Sequence, residues 1–308
     1  MIDKPGIFYD IEPSAYFDDP CPEPSLNQSL AKLILEKSPL HAKYAHPRLA
    51  PPVEDSEEKA ERYNKDLAIG NAAHALILGR GKDLAIGEYD AWTTKEAKAF
   101  KLDAYEAGEE PILRKHYELA WRLASSAKER IAGHQCHDCF IGGKSEAVIA
   151  WQEDGLWFRS MIDFVHDNLR VFDDLKTTGM SAAPHSIPWM IDDMGWDIQA
   201  AMWERGLNII DPANAGRRRF RFVCVENEPP FALTVNDLSE AVLTIGRRRL
   251  RAAIELWKRC MATDTWPAYP TTTLYPQFPG AREIRWEERE RELSEEFGGL
   301  PLTRELMG

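Results

Sequence analysis

The spacing of the apolar residues changes near residue 144, where a helical repeat gives way to strand-like alternation. In the first part of the chain, apolar residues recur every three or four positions, which places them on one face of a helix. This pattern predicts helices over residues 25–38, 57–78, 95–107 and 111–131. The chain is therefore expected to begin with a group of helices.

The second part of the chain mixes strands with helices. Gly155 and the pair Asp167-Asn168 separate three short segments rich in β-branched and aromatic residues, and such segments between turn residues are typical of strands. The predicted strands span residues 146–151, 156–166, 170–178 and 217–226, and the predicted helices span residues 186–207 and 236–262. Strands among helices predict a single α/β domain.

The domain is expected to cover residues 25–270, because neither an internal repeat nor a long linker interrupts that range. Residues 1–24 are rich in proline and aspartate and are interpreted as an N-terminal extension. Residues 271–308 form a charged C-terminal tail that is expected to pack on the domain or to extend from it, with an exposed helix near residues 287–296.

The composition suits a folded protein that does not enter a membrane. The chain has 308 residues and is 44% apolar, which is enough for a substantial core. Its apolar stretches end well before the roughly 18 residues that a membrane-spanning helix needs. The start of the chain lacks a secretion signal, and the odd number of cysteines, five, fits reduced thiols. We therefore expect a cytoplasmic protein.

The charge is unevenly distributed along the chain. The net charge of −12 argues against a protein that coats a polyanion. However, residues 217–259 hold ten Arg or Lys against five Asp or Glu, a local surplus of +5. An enzyme that cuts nucleic acid needs acidic metal ligands with basic residues beside them, so the net charge does not exclude one.

Two aspartates and a lysine are expected to share one face of the predicted strand hairpin. If Asp167-Asn168 is a two-residue turn, Asp163 lies opposite Phe172. Side chains alternate along strands, so Asp163, Asp174 and Lys176 point the same way. Diagonal neighbours in a sheet lie roughly 7–8 Å apart, a span that two carboxylates can bridge through one hard cation.

Such a cluster is costly to bury unless something compensates its charge. A divalent metal would do so, and the sequence predicts Mg²⁺, with Mn²⁺ as a substitute, held by Asp163, Asp174 and the carbonyl of Leu175. Lys176 is then expected to orient or deprotonate the attacking water and to stabilise charge on a phosphate.

These residues resemble the PD-(D/E)XK nuclease superfamily, and within it the RecE-type and phage lambda-type exonucleases. The resemblance rests on Asp163 and, eleven positions later, Asp174-Leu175-Lys176, and it covers roughly residues 25–270. Further matches are Gly70 with His74, Glu146, Gln199 with Trp203, and the segments 25–29 and 38–41. The superfamily has tyrosine where this chain has Trp203, so a hydroxyl contact is lost and a ring is kept.

The resemblance implies a fold, a set of roles and an activity. The fold would be α/β, a restriction-endonuclease-like core with a central mixed sheet flanked by helices. Lys176, Gln199 and Glu146 would be catalytic, and His74 would be a metal ligand. The protein would be bacterial or phage-encoded and would digest double-stranded DNA from 5′ ends. It would leave 3′ strands for a single-strand annealing protein in recombination, and it would form a homo-oligomeric ring, a trimer or a tetramer.

DNA contacts are expected from two places. Arg219 and Arg221 alternate with phenylalanines, which predicts a basic strand face that could follow DNA phosphates. The alternative is that the arginine groups only form solvated faces. Ser25 and Lys32 lie at a predicted helix N-terminus, where backbone N–H groups favour phosphate, and the ring of Trp203 could stack or pack against DNA.

Three other functions remain open from the sequence. The first is a different nuclease of the same superfamily, specific for single strands or for DNA structures, in repair or defence. The second is a catalytically inactive DNA-binding protein on the same fold, against which the intact set of Asp163, Asp174, Lys176 and Gln199 argues. The third is a metal-dependent hydrolase of other substrates, and the arginine-rich region argues against it.

Overall fold

The structure is a computed structural model that describes residues 1–51, 64–277 and 279–297. The chain divides into two units, Met1–Ala268 and Tyr269–Gly308. Within the described residues, no helix is both long enough and apolar enough to cross a membrane. All five cysteines are free thiols.

A seven-stranded mixed sheet forms the centre of the first unit. Along it the strands lie in the order β1, β5, β6, β7, β8 and β9, while β2 pairs with β6 and the remaining two strands form a separate parallel pair. β7 and β8 are parallel, and the other neighbours in that order are antiparallel. The strands are β1 Gly6–Phe8, β2 Ser25–Leu26, β3 Leu84–Gly87, β4 Glu110–Leu113, β5 Gly143–Glu153, β6 Leu156–His166, β7 Val171–Thr178, β8 Arg219–Glu226 and β9 Leu233–Asp237.

Helices surround this sheet, and one further helix belongs to the second unit. In the first unit they are α1 Pro13–Phe17, α2 Gln28–Glu36, α3 Pro39–Ala45, α4 Lys65–Leu78, α5 Lys95–Glu106, α6 Arg114–Ala132, α7 Ile187–Met194, α8 Trp196–Ile210 and α9 Glu240–Thr263, with a short 3₁₀ turn at Pro212–Asn214. In the second unit α10 spans Gly280–Phe297.

Helices pack on both faces of the sheet, as alternate residues of β8 show. Phe220 and Phe222 belong to an apolar cluster with residues of α2, α8 and α9. Val223 and Val225 belong to a second cluster with residues of α4 and α6. Because alternate side chains of a strand point to opposite faces, the two clusters lie on opposite sides of the sheet. The predicted fold, a central mixed sheet flanked by helices, is confirmed.

Several predicted boundaries differ from the structure. The helix expected over 186–207 is split between α7 and α8 by Gly195, whose left-handed φ of 69° ends the first helix. The helix expected over 236–262 starts later, because Leu233–Asp237 pairs with β8 and Ser239 caps α9. Residues 57–63 of the helix expected over 57–78 lie outside the described residues.

The predicted register of the β6–β7 hairpin is wrong by two residues. Val165 pairs with Phe172, and Phe164 pairs with Asp173. The connection has four residues, 167–170, instead of two, and the amide of Leu169 donates to the carbonyl of His166 at 2.9 Å. A shift of two preserves the faces of the strands. Asp163 therefore lies directly opposite Asp174, whereas the sequence predicted a diagonal neighbour.

Candidate active site

Two aspartates and a lysine meet on one face of the central strands β6 and β7. The backbone amide of Leu175 donates to Oδ2 of Asp163 at 2.9 Å, which fixes that carboxylate against β7. Asp174 is only 2% exposed, and Nζ of Lys176 lies 2.5 Å from its Oδ1. The sheet thus brings Asp163, Asp174 and Lys176 together on one face, as the sequence predicted, but with Asp163 opposite Asp174 instead of diagonal to it.

Helix α8 adds Gln199 to this group. The side-chain amide of Gln199 donates to Oδ2 of Asp174 at 2.7 Å, and its Oε1 accepts from Lys176 at 3.1 Å. Gln199 therefore holds the carboxylate of Asp174 and the ammonium group of Lys176 in fixed positions relative to each other. It is itself buried, which limits the rotamers that it can adopt.

Helix α4 brings His74 to the site, and Gly70 makes its close approach possible. A Cβ atom on Gly70 would lie 2.7 Å from Oγ1 of Thr177 on β7, so any other residue would force the helix or the threonine side chain to move. One turn later, Nε2 of His74 lies 3.3 Å from Oδ2 of Asp163. Its Nδ1 lies 3.9 Å from Oε1 of Glu146. Gly70 thus lets α4 approach β7 closely enough for His74 to reach Asp163.

Glu146 completes the group from β5 in an unusual backbone conformation. Its neighbours Ser145 and Ala147 pair with Phe164 and Ile162, which places Glu146 across from Asp163. Its φ of 54° is left-handed, a conformation that costs a non-glycine residue about 1–3 kcal/mol. Strained residues of this kind cluster at functional sites. The side chain is 5% exposed, and its Oε2 accepts no hydrogen bond from the described residues.

Electrostatic coupling makes the two aspartates unequal. Burial and the charge of Asp163 raise the pKa of Asp174 to about 6. Burial also opposes ionisation of Asp163, but the charge and hydrogen bond of His74 and the charge of Lys176 outweigh it, so the pKa of Asp163 is lowered. Asp163 is therefore the more readily ionised of the pair.

The neighbouring carboxylates favour the protonated forms of the basic groups beside them. Burial lowers the pKa of Lys176, but the charges of Asp174 and Asp163 outweigh it, and the net shift is upward. The pKa of His74 is likewise raised, because Asp163 outweighs burial. Burial raises the pKa of Glu146, against the charges of His74 and Arg80. Lys176 is thus a cation in this arrangement.

The carboxylates beside Lys176 are of the chemical type that a hard divalent cation prefers. Asp163, Asp174 and Glu146 supply carboxylate oxygens, the ligands that such cations prefer. Oδ1 of Asp174 and Oε2 of Glu146 are buried and accept no well-directed hydrogen bond from the described residues, although Lys176 forms an ion pair with the former. Over residues 1–51, 64–277 and 279–297, no three His, Cys, Asp or Glu side chains converge tightly enough to hold a metal. His74 and Lys176 instead balance the carboxylates.

A cavity of about 570 Å³ opens beside the carboxylates. Its lining includes Asp163, Asp174 and Lys176 on one side and the first residues of α2 with Lys32 on another. Phe17 and Met194 contribute exposed apolar surface to the same cavity. The volume lies in the usual range of small-ligand sites, about 300–1,000 Å³.

The prediction that Arg221 follows DNA phosphates is wrong. Its side chain is 2% exposed and donates to both carboxylate oxygens of Asp173, at 2.5 and 2.9 Å, and to Asp138 at 2.8 Å. The strand does have a basic face, but the loop that carries Asp138 covers it at this position. Arg219, two residues earlier, is exposed and pairs with Asp237 at 2.7 Å.

Trp203 and Ser25 are also buried, which corrects the expectation that they contact DNA. The indole N–H of Trp203 donates to Oγ of Ser160 at 3.0 Å, and its ring stacks on Phe222 within the core. The hydroxyl of Ser25 donates to Asp19 at 2.7 Å. Lys32 differs from both, because it lines the cavity while its Nζ donates to the carbonyl of Asp193 at 2.6 Å.

Sequence reasoning missed two residues near the site. Arg80 lies 3.5 Å from Glu146, and its only signal is the Gly-Arg-Gly that ends the helix of His74. Phe17 lies in the segment interpreted as an extension, and nothing in the local pattern connects it with the cavity. Both come from parts of the chain that the matched positions do not include.

The fold and the carboxylate–lysine site together define the PD-(D/E)XK nuclease superfamily. A model of the family described as "PDDEXK-like domain of unknown function (DUF3799)" matches residues 50–275, so the chain belongs to this family. No curated protein matches the sequence.

A solved structure shows the same fold at low identity. The chain is similar to a candidate exonuclease from Eubacterium rectale, with a TM-score of 0.55 and 11% identity over 88% of this chain and 96% of that one. It is also similar to a phage-related exonuclease from Haemophilus somnus 129PT, with a TM-score of 0.30 and 10% identity over 63% of this chain and 95% of that one. At such identities the first likeness shows the fold.

Proposed function

We propose that the protein is a metal-dependent DNA exonuclease that degrades double-stranded DNA from 5′ to 3′ and leaves 3′ single strands. The observation that carries this proposal is the group of Asp163, Asp174 and Lys176 beside an open cavity, with Asp174 buried and Gln199 bridging Asp174 and Lys176. A fold alone hosts many functions. Carboxylates with unpaired oxygens next to an ammonium group suit metal-assisted hydrolysis of a phosphodiester.

Mg²⁺ is the proposed cofactor, with Mn²⁺ as a substitute. Asp163, Asp174, Glu146, the carbonyl of Leu175 and the ring of His74 are the candidate ligands. When bound, the cation supplies positive charge beside the scissile phosphate and makes water there more acidic.

Lys176 and Gln199 act on the substrate side of the site. The raised pKa of Lys176 keeps it protonated, which favours a role in orienting water and balancing phosphate charge over a role as a base. Gln199 contacts both Lys176 and Asp174 and so fixes where the ammonium group points. Such preorganised charge is often the largest single contribution to catalysis.

The size of the cavity supports attack at the end of a DNA strand. At about 570 Å³ it matches sites that hold one small ligand, so one or two nucleotides of a single strand fit better than a base-paired duplex. Lys32 is a candidate phosphate contact within it, and exposed Arg219 is a candidate contact outside it.

The wider setting of the reaction follows from the superfamily resemblance. The proposal includes a ring-shaped homo-oligomer, an annealing protein as partner, and a cytoplasmic location in a bacterium or in a phage-infected cell. Each of these has its own test, and none is needed for the site chemistry.

End-labelled linear DNA tests the proposal. Duplexes labelled at the 5′ or 3′ end are incubated with Mg²⁺, Mn²⁺ or EDTA, beside a covalently closed circle. We expect early release of the 5′ label as mononucleotide, an intact circle, and no reaction in EDTA. Cutting of the circle would indicate an endonuclease of the same superfamily, and failure to cut with any metal would indicate a DNA-binding protein.

A further inference from the structure

Arg80 lies on the Glu146 side of the carboxylates, away from the cavity that Lys176 lines. It follows α4, the helix that carries His74, after the left-handed C-cap residue Gly79 (φ 67°). Its Nε lies 3.5 Å from Oε2 of Glu146. The cluster of carboxylates therefore has Lys176 on one side and Arg80 on another. The proposed function gives a role only to Lys176.

The contact between Arg80 and Glu146 is weak by the standard of this protein. Charge-assisted N–H···O bonds are usually about 2.7–2.9 Å long. Arg221 reaches both oxygens of Asp173 at 2.5 and 2.9 Å, whereas Arg80 makes a single contact at 3.5 Å. The Arg80 side chain is 33% exposed and makes no hydrogen bond within residues 1–51, 64–277 and 279–297.

Most of the donors of Arg80 therefore remain available. A guanidinium group has five N–H donors in a planar fork that matches phosphate oxygens. Glu146 does not use this capacity, since its Oε2 accepts no hydrogen bond from any described residue. An arginine that is held near a site, but is not committed to its neighbour, is prepared to bind an anion.

Charge balance makes such an anion contact useful. Glu146, Asp163 and Asp174 would repel a DNA strand, which carries one negative charge per phosphate. His74 lies close to Asp163, and Lys176 lies close to Asp174. Arg80 is the cation of this group with the weakest internal contact.

We propose, on the premise of the nuclease function above, that Arg80 binds a phosphate of the DNA strand on the Glu146 side of the scissile bond. The single 3.5 Å contact with Glu146 leaves the guanidinium group able to turn from that oxygen to the phosphate. Arg80 and Lys176 then hold the strand on both sides of the carboxylates.

The salt dependence of DNA binding tests this inference. Fluorescence anisotropy of a labelled duplex oligonucleotide is followed over a series of KCl concentrations, with Ca²⁺ in place of Mg²⁺ to hold back cleavage. The variants are Arg80→Ala, Arg80→Lys and, as a matched control, Arg122→Ala on the exposed side of α6. Circular dichroism checks that each variant folds.

We expect Arg80→Ala to bind about tenfold more weakly, as for the loss of one charged hydrogen bond. The slope of log affinity against log salt should fall in magnitude by about 0.7–0.9, which is one phosphate contact. Arg80→Lys should keep the slope, because lysine still neutralises a phosphate, and Arg122→Ala should match the wild type.

An unchanged slope in Arg80→Ala, with wild-type protein that binds and cuts DNA, would overturn this inference alone. Arg80 would then only neutralise Glu146. If the wild type failed to bind DNA at all, the proposed function would be overturned and this inference with it.

Discussion

Asp173 and Asp174 are adjacent on the same strand, and both are buried, yet their surroundings differ. On one face, both oxygens of Asp173 accept from Arg221, and its Oδ2 also accepts from the amide of Phe140 at 2.9 Å and lies 2.7 Å from His166. On the other face, Asp174 has a well-directed bond from Gln199 alone among the described residues, while its Oδ1 faces Lys176 at 2.5 Å.

The face of β7 that carries Asp173 is closed, because protein groups satisfy its carboxylate. The face that carries Asp174 is open to the cavity. A buried charge is tolerated when its hydrogen-bonding capacity is met, and Asp173 meets that condition with protein groups alone. Asp174 and Glu146 each keep a buried oxygen that accepts no hydrogen bond from the part of the chain that the structure describes. Burial by itself therefore does not mark a functional carboxylate, whereas burial with unmet capacity beside a cavity does.

A second fully engaged carboxylate lies outside the sheet, between α1 and β2. Asp19 is 5% exposed and is fully engaged by Ser25, His46 and Arg159. We interpret it, like Asp173, as part of the structural framework. Substitutions at the two kinds of carboxylate site should therefore have different effects.

The largest effect is expected from breaking the closed face. Arg221→Ala leaves Asp173 buried without its partner, so the free energy of unfolding should fall by about 3–5 kcal/mol. Urea unfolding measures this loss of stability. The control is Arg219→Ala on the same strand, whose exposed pair with Asp237 should contribute about 0–1 kcal/mol. Equal losses in the two variants would refute the distinction.

The next effect concerns activity instead of stability. Lys176→Ala should lower the cleavage rate by about 10²–10³-fold, since it removes a preorganised charge. The fold should persist, because the lysine belongs to the open face. Initial rates and circular dichroism measure the two properties, and Lys258→Ala, at a surface ion pair, is the control. Full activity in Lys176→Ala would remove this residue from the mechanism.

A smaller effect is expected at the helix that supports the open face. Gly70→Ala places a Cβ 2.7 Å from Oγ1 of Thr177, so α4 must shift. Overpacking of this kind costs about 1–3 kcal/mol. Cleavage should also slow, because His74 moves with the helix. Thermal unfolding and initial rates test this, with Gly280→Ala, where a Cβ meets nothing within 4 Å, as the control. Wild-type behaviour would show that the close approach is not required.

The smallest effect is a change in the pH dependence of stability at Asp19. Burial raises its pKa, but hydrogen bonds from His46 and Ser25 and the charge of Arg159 outweigh it, so the net pKa is lowered. Such a carboxyl stabilises the fold above its unfolded pKa of about 3.9, and this contribution is lost as pH falls through the lower folded value.

Urea unfolding of Asp19→Asn and wild type from neutral pH to pH 3 tests this prediction. The variant should be less stable at neutral pH, and its stability should fall less steeply on acidification. Parallel curves would mean that Asp19 does not contribute to acid sensitivity.

The period of two in strands explains why the site could be predicted. The predicted hairpin turn was too short and the register was wrong, yet Asp163, Asp174 and Lys176 still fell on one face. A shift of two residues changes partners without changing faces. The order of the matched residues then sufficed to identify the superfamily.

The burial of Arg221 and Trp203 could not be predicted in the same way. Alternation shows that two faces of β8 differ, but helices and the loop of Asp138 cover both of them. The partner of Arg221 comes from a neighbouring strand, and the partner of Trp203 is Ser160 on β6. Such distant contacts are absent from local patterns. The left-handed conformation of Glu146 has no sequence signal either.

One measurement tests the central claim, that the open face is a metal-dependent nuclease site, most directly. Linear duplex DNA is incubated with wild type, Asp174→Asn and Asp173→Asn, with Mg²⁺ or with EDTA, at a temperature at which all three are folded. We predict cleavage by wild type and by folded Asp173→Asn with Mg²⁺, no cleavage in EDTA, and almost none by Asp174→Asn. Cleavage by Asp174→Asn at the wild-type rate, or by wild type in EDTA, would contradict the account.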